Sequence, residues 1–433
     1  MSGCGVSELK LKYVCRTVGG GTPDKENLDF WNGDIPWISA KDMGQFRISF
    51  AEDHITREAV AASATRIVPA GSVLVVARSG ILRHTLPVGV TLRDFAINQD
   101  MKALIPDRSL QATFLAYFIK GNEERFLSEW RKTGTTVESI EQELMQNSLI
   151  RVPCASEQIA ITKFLDERTC RIDDLIERKR RLIELLDEKR TSLISQVVTR
   201  GLDPNSPMKE SGVDWLGRIP AHWTLTRTKF LFSYVTSGSR GWAEHYSESG
   251  QVFLRITNVT RDGIELSLDD LQRVSVPDGA EGERTRAQPG DLVISITAWV
   301  GAVGIVPEGL GQSYVSQHLA LCRPKAGIHS RWLAYTLFAL PMKSQFNQLM
   351  YGGTKVQLGL GDVKNILVPV PPPNEQQMIA QHIDELTGKY AEAQHSTTSA
   401  IDLLREYRSA LITAAVTGQL DLRDHEKKME AQP

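Results

Sequence analysis

A catalyst reveals itself through groups placed at useful spacings, and this 433-residue chain offers few. It has no G-x-x-x-x-G-K-[ST] loop and no G-x-G-x-x-G after a strand, so no phosphate cradle of either kind is expected. Gly301-Ala302-Val303-Gly304 reads as a turn between strands. Asp203-Pro204-Asn205-Ser206 shares the start of the Asp/Asn-Pro-Pro-aromatic motif of amino-methyltransferases. It lacks the second proline and the aromatic platform on which a base would stack, and it stands at a helix stop. The carboxylate pairs Asp173-Asp174 and Asp269-Asp270 are adjacent and solvated, with no reason to share a proton. No Asp/Glu-x-Lys arrangement lies on a convincing strand, as a metal-dependent nuclease would need. His84, His222 and His318, among nine histidines, read as ordinary core or surface residues. Cys4, Cys15, Cys154, Cys170 and Cys322 are far apart, without a C-x-x-C pair, and are expected to be thiols rather than zinc ligands or a disulfide framework. The expectation is a chain with no catalytic site, no metal and no cofactor of its own.

Composition narrows the class. At 41% hydrophobic and 24% charged, the chain is too apolar to stay disordered, and its length allows two to four domains. No apolar run reaches the roughly 18 residues of a membrane span, and the first thirty residues lack a signal-peptide pattern. A soluble, cytoplasmic protein is expected. Lys and Arg total 50 against 52 Asp and Glu, a net charge of −2. Any nucleic acid must therefore be met by locally concentrated positive groups, not by bulk charge.

The elements that would position such groups come in two copies. Residues 134–203 align without a gap onto 352–421, at a constant offset of 218 residues. Val152-Pro153 meets Val370-Pro371, and Glu157-Gln158 meets Glu375-Gln376. Asp166-Glu167 meets Asp384-Glu385, Leu193-Ile194 meets Leu411-Ile412, and Leu202-Asp203 meets Leu420-Asp421. Upstream the echo weakens, with Gln99 and Pro106 matching Gln317 and Pro324. Such a register marks a duplication. The variable halves are rich in turn residues and contain strand-like runs at 72–76, 252–256 and 292–296, with helical patches at 113–126 and 330–346.

The repeated halves are helical. Residues 156–199 contain neither Gly nor Pro, and Leu165, Ile172, Leu175, Leu182, Leu186 and Leu193 predict a heptad seam. Ile379, Ile383, Leu386, Tyr390, Leu404, Tyr407 and Leu411 keep the rhythm in the second copy. About 40 helical residues make a rod of about 60 Å, which cannot bury its stripe alone. The predicted fold class is α+β: two globular domains separated by two long antiparallel α-helices, a coiled coil, with a pseudo-twofold internal repeat. The expected boundaries are 1–153 and 204–371 for the globular domains, 154–203 and 372–422 for the helices, and 423–433 for a flexible tail.

Several motifs resemble those of type I restriction–modification specificity subunits. Gly19-Gly20-Gly21-Thr22-Pro23, Trp31-Asn32-Gly33-Asp34-Ile35-Pro36-Trp37-Ile38 and Ile97-Asn98-Gln99-Asp100 look like the opening of a target recognition domain. Val152-Pro153 with Glu157-Gln158, repeated at Val370-Pro371 with Glu375-Gln376, resembles the family's conserved region. Asp214-Trp215-Leu216-Gly217-Arg218-Ile219-Pro220-Ala221-His222-Trp223 resembles the entry to a second recognition domain. The second domain departs from the pattern in having Ser237-Gly238-Ser239-Arg240-Gly241-Trp242 where Gly-Gly-Thr-Pro is expected. The resemblance implies a DNA-binding specificity subunit of a restriction system, without activity of its own. Its two domains would read the unlike halves of a bipartite double-stranded DNA target, while the helices set the spacing and dock two methyltransferase subunits. Restriction/translocase subunits would complete the assembly, and S-adenosylmethionine, ATP and Mg²⁺ would belong to those partners. The alternatives are a coiled-coil adaptor without DNA readout, or a nuclease or methyltransferase with an unrecognised active site.

On this reading Lys41, Arg78, Ser79, Arg83 and His84 in the first domain, and Arg240, Arg255, Asn258 and Arg261 in the second, are the expected DNA contacts. Arg and Lys match guanine edges, and Asn matches adenine. Thr136, with Thr354 and Lys355, lies in polar turns suited to phosphate. Glu157, Gln158, Glu375 and Gln376 are expected at a partner-docking surface or as helix caps. Trp31, Trp37, Trp215 and Trp299 are expected to pack in the core.

Overall fold

Short β-branched runs bounded by turns become strands, and in the computed structural model they build two units on one plan. It describes residues 6–132, 137–277, 279–349 and 357–420. In the first unit a five-stranded sheet runs Cys15–Gly19, Met101–Pro106, Val73–Val76, Val88–Thr91, Arg47–Ile48. Its Val73–Val76 strand is wholly buried, as a continuous apolar run requires. A four-stranded sheet runs Asp53–Ile55, Trp31–Ile38, Phe95–Ile97, Arg66–Val68. The second unit repeats both, as Phe232–Ser237, Leu319–Pro324, Leu292–Ser295, Val303–Ile305 and as Tyr246–Ser247, Gln272–Val274, Gln251–Leu254, Ser313–Val315, Arg286–Ala287. Even the parallel pair recurs: Trp37 faces Ala96 in one, and Val252 faces Ser313 in the other.

A two-stranded closure also repeats, Ser7–Lys10 with Leu149–Val152 and Thr224–Arg227 with Leu367–Val370. The helical patches appear as Ala112–Gly121 followed by Glu123–Trp130, and as Ser330–Phe338 followed by Leu340–Leu349. The missing Gly-Gly-Thr-Pro opening is less of a departure than expected. A Cβ on Gly20 would lie 2.0 Å from the Ile97 carbonyl oxygen, and one on Gly238 would lie 2.1 Å from that of Ser316. Both units need glycine there because two backbones touch.

The first long helix spans Ala155–Arg200 and stops where Gly201 takes φ +76°. The second spans Pro373–Thr417, with proline at the first helical position, where its missing N–H costs nothing. The segments group in space differently from the linear division expected above. One unit comprises Met1–Lys179 with Thr398–Pro433, and the other Arg180–Thr397. Each unit thus holds one half of each long helix. Within the first, Asp173 accepts from Arg408 Nε and Nη2 at 2.9 and 3.1 Å, and Arg151 Nη1 donates to the Val416 carbonyl at 3.2 Å. Within the second, Ile194, Val197 and Val198 share a core with Ile379, Ala380 and Ile383. The paired segments are antiparallel in both.

The seam lies one residue away from several predicted positions. Leu165 and Ile172 are buried as expected, but Ile176 and Ile194 are buried where Leu175 and Leu193 were predicted, and Leu175, Leu182 and Tyr407 are exposed. A leucine-rich helix offers two adjacent stripes, and burial selects the one with β-branched isoleucines. The thiol expectation holds for Cys15, Cys170 and Cys322 and fails for Cys154, which is disulfide-bonded. Spacing along the chain cannot reveal such a pairing. Among the described residues no helix is long and apolar enough to cross a membrane, and no group of three or more His, Cys, Asp or Glu could hold a metal.

Candidate nucleic-acid interface

The two Glu-Gln pairs, expected near a docking surface, turn inward. Gln158 is fully buried: its Nε2 donates to the Ser109 and Pro153 carbonyls at 2.8 Å, and its Oε1 accepts from the Gln111 backbone N–H at 2.7 Å. Gln376 is buried likewise, donating to the Pro371 carbonyl at 3.0 Å and accepting from the His329 N–H at 2.9 Å. Partner docking through these two side chains is therefore corrected to an internal tie, because a buried amide must spend its donors and acceptors locally. Glu157 pairs with Arg151 at 2.8 Å. Glu375 accepts from Trp223 Nε1 at 3.0 Å and lies 2.8 Å from His222 Nε2. All four residues fasten a long helix to the domain in front of it.

Eight residues further along, about two helical turns, a second tie repeats. Asp166 accepts from Tyr117 Oη at 2.9 Å and from Arg47 at 2.5 Å. Asp384 accepts from Tyr335 Oη at 2.6 Å and from Arg331 through Nη2 at 2.6 Å and Nε at 3.0 Å. Burial, joined by the neighbouring carboxylate, pushes both phenols up. Burial opposes the Arg331 charge, but its bonds to Asp384 and Glu265 raise it further still. The brace formed by each Gln and Asp fixes Ala112–Gly121 and Ser330–Phe338 on the long helices, and with them the sheets that they cover.

The sheets present the exposed turns where most predicted contact residues lie. In the first unit, the turn after Val73–Val76 carries Arg78, which donates to Asp100 at 2.7 Å, and Arg83, 3.6 Å from Glu138. Ser79 caps the short helix Gly80–Arg83, and His84 follows it, exposed. Lys41 is exposed on the neighbouring segment, 3.0 Å from both Glu52 and Asp53, whose carboxylates raise its pKa. Arg78, Arg83 and His84 are thus brought together, while Ser79 works as a cap.

In the second unit the picture divides. Arg240 and Arg261 are exposed. Asn258 is buried: its Oδ1 accepts from the Arg255 N–H at 2.9 Å, and its Nδ2 donates to the Ser267 and Asp270 carbonyls at 3.0 Å. Both amide donors are spent and the side chain is buried, so the expected adenine contact at Asn258 is corrected to a loop clamp. Arg255 is held beside it, 3.0 Å from the Asp270 carboxylate. Thr136, Thr354 and Lys355 lie outside the described residues. Ser139 and Gln357 join the same surface, since Arg78 bridges to Ser139 and Thr297 to Gln357.

Sequence reasoning missed the pair at the end of this sheet. In the first unit Arg78 meets Asp100, and in the second Thr297 meets His318 Nδ1 at 2.8 Å. Gln99 and Gln317 stand next to them, and Thr22 donates to Gln99. The framework is shared, and the polar groups offered to a ligand differ. The signal lies in the offset of 218 itself, which aligns Gln99 with Gln317 and, at the next position, Asp100 with His318.

The family model described as type I restriction modification DNA specificity domain matches residues 5–185 and 279–397. The specificity subunit of the Escherichia coli type I restriction enzyme EcoR124I/EcoR124II is 40% identical over 176 residues, which cover 40% of this chain and 44% of that relative. The MjaIX specificity subunit of Methanocaldococcus jannaschii is 24% identical over 431 residues, covering 96% and 93% of the two chains. A chain solved in work on complex assembly and conformational transition of the type I R-M system superposes with a TM-score of 0.71. It is 17% identical, with 96% and 98% coverage, and shows likeness of fold.

Proposed function

Because the chain belongs to the type I restriction modification DNA specificity family, we propose that each unit reads one half of a bipartite double-stranded DNA target and that the two halves differ. The observation that carries this is the brace built twice around unlike polar turns. Gln158 and Asp166 in one unit, and Gln376 and Asp384 in the other, hold the same scaffold, while Arg78–Asp100 and Thr297–His318 occupy corresponding ends of it. A duplicated frame suits two half-sites, and differing side chains suit an asymmetric sequence. The chain itself is non-catalytic and works in the cytoplasm. Its helices set the spacing of the half-sites and dock two methyltransferase subunits. S-adenosylmethionine, ATP and Mg²⁺ act in the methyltransferase and restriction/translocase subunits.

The test is an exchange of residues 1–150 for those of a relative, followed by genome-wide mapping of methylated bases in cells with the intact system. One half of the target should change and the other should persist; a change in both, or in neither, rejects modular reading. Inserting seven residues into Ala155–Arg200 should alter the tolerated spacing and keep both halves. Turnover of DNA by the lone chain would instead favour an enzyme, and a reconstituted complex that protects no split sequence would favour an adaptor.

A further inference from the structure

Tryptophan is the most expensive side chain to leave in water, and this chain leaves one there. Of its eight tryptophans seven are buried or half-buried, whereas Trp299 is 46% exposed, contrary to the core role expected from sequence. The turn that carries it is not loose. Ala298 takes φ +50°, one of only two non-glycine residues with positive φ among the described residues. The Ser295 hydroxyl donates to the Trp299 carbonyl, the Gly301 N–H donates to the Ser295 carbonyl at 2.9 Å, and the Ala302 N–H donates to the Trp299 carbonyl at 3.1 Å. A Cβ on Gly301 would meet the Phe346 ring at 2.9 Å, so the turn is pressed against the core. An apolar surface held outward by a rigid, strained turn is a presented surface.

Its surroundings are cationic and concave. Trp299 stands between two clefts of about 410 and 640 Å³ that share Arg261, Phe338 and Lys343 as walls. The Arg261 guanidinium lies 5.8 Å from the indole centroid, and the Lys343 ammonium lies 3.9 Å from that of Phe338. Burial lowers the Lys343 pKa, and Asp187, Arg190, Arg261 and Asp262 act on it through space. Arg190 enters the larger cleft from the first long helix, donating to Asp187 at 2.7 Å and to the Asp262 carbonyl at 2.5 Å, with its Nε unpartnered. Three cations face two carboxylates, so a net positive charge surrounds an exposed aromatic ring. The corresponding turn of the first unit has no aromatic residue and is closed by its Ser79 cap.

We propose that Trp299 is a DNA-contact residue of the second unit, packing against the sugar and base edges of the duplex while Arg261 and Lys343 take the flanking phosphates. This deepens the DNA-reading role proposed above and rests on it. Apolar contact adds affinity that salt does not screen, whereas phosphate contacts release counterions and are salt-dependent. The two kinds of contact therefore separate in one titration.

The experiment uses the full chain assembled with its methyltransferase partner and a 40-base-pair duplex carrying the target mapped from cellular methylation. Trp299→Ala should weaken binding about tenfold with an unchanged salt slope, and Trp299→Phe should recover part of the loss. Arg261→Ala and Lys343→Ala should each lower the slope of log affinity against log salt by about one. Lys229→Ala, which removes a surface cation stacked on Phe230, should bind as the parent does. In the unmutated complex, acrylamide quenching of the exposed tryptophan, read as the difference from Trp299→Phe, should fall when DNA is added, a readout that does not depend on the alanine variant folding. Parent-like binding by Trp299→Ala with undiminished quenching overturns the proposal, as does an equal loss in all four alanine variants. If the unmutated assembly binds no duplex, the DNA-reading role itself fails.

Discussion

The two units solve the same mechanical problem with different parts. In both, an aspartate on a long helix accepts from a tyrosine six residues into the bracing helix. The arginine that joins it comes from strand Arg47–Ile48 in the first unit and from the bracing helix itself, at Arg331, in the second. The helix-start caps differ too. Gln111 offers no side-chain cap to Ala112–Gly121, whereas His329 Nδ1 accepts from the Trp332 N–H at 3.3 Å. Geometry is held constant while chemistry drifts, as expected when selection acts on where a domain sits and not on which atom holds it.

That comparison can be broken at its strongest point first. Asp384→Ala removes the acceptor of Tyr335 and of a two-pronged Arg331 pair, and should cost about 2–3 kcal/mol. Asp166→Ala, with one Arg47 contact on a more exposed side chain, should cost about 1–2 kcal/mol. Chemical denaturation of the two variants measures both, and equal losses would show that the arginine's origin does not matter. Gln158→Ala and Gln376→Ala release corresponding backbone groups, Pro153 with Gln111 and Pro371 with His329, and should each cost about 2 kcal/mol, the freed Ser109 carbonyl adding slightly to the first. A twofold disparity would break the symmetry of the tie.

The smallest effect is the most diagnostic. Burial lowers the His329 pKa, so the neutral ring is favoured in the folded state. A depressed folded value means that its contribution is complete above the ordinary imidazole range and is lost as pH falls through the lowered value, when Nδ1 gains a proton and ceases to accept. Between pH 7 and pH 5 the parent should lose more Tm than His329→Asn, which keeps a capping oxygen without titrating. Parallel curves would remove His329 from the account.

Much of this was legible along the chain. The constant offset exposed the duplication, and the Gly- and Pro-free stretch gave the long helix almost to its ends, Ala155 and Arg200. Both follow from local rules, since periodicity and helix punctuation act on near neighbours. The choice of seam was not legible, because adjacent leucine and isoleucine stripes satisfy the same heptad and only packing separates Ile176 from Leu175. Arg408 illustrates the point. It finds Asp173 on the facing helix, whereas its repeat equivalent Arg190 has Ala391 at the matching place and turns toward Asp187 and the cleft.

The sequence by itself determined the repeat, the helices and the family, because each is written in spacing that survives without knowledge of what lies across the fold. Tertiary structure decided the roles. Asn258 and Gln158 have side chains that could read a base or dock a partner, yet both amide donors of each are spent on backbone carbonyls and each oxygen accepts a backbone N–H inside the fold. Trp299 could have packed in the core, yet a left-handed residue before it turns it outward. A side chain's chemistry is fixed by its type, but whether that chemistry is still available depends on neighbours that only the folded chain brings near.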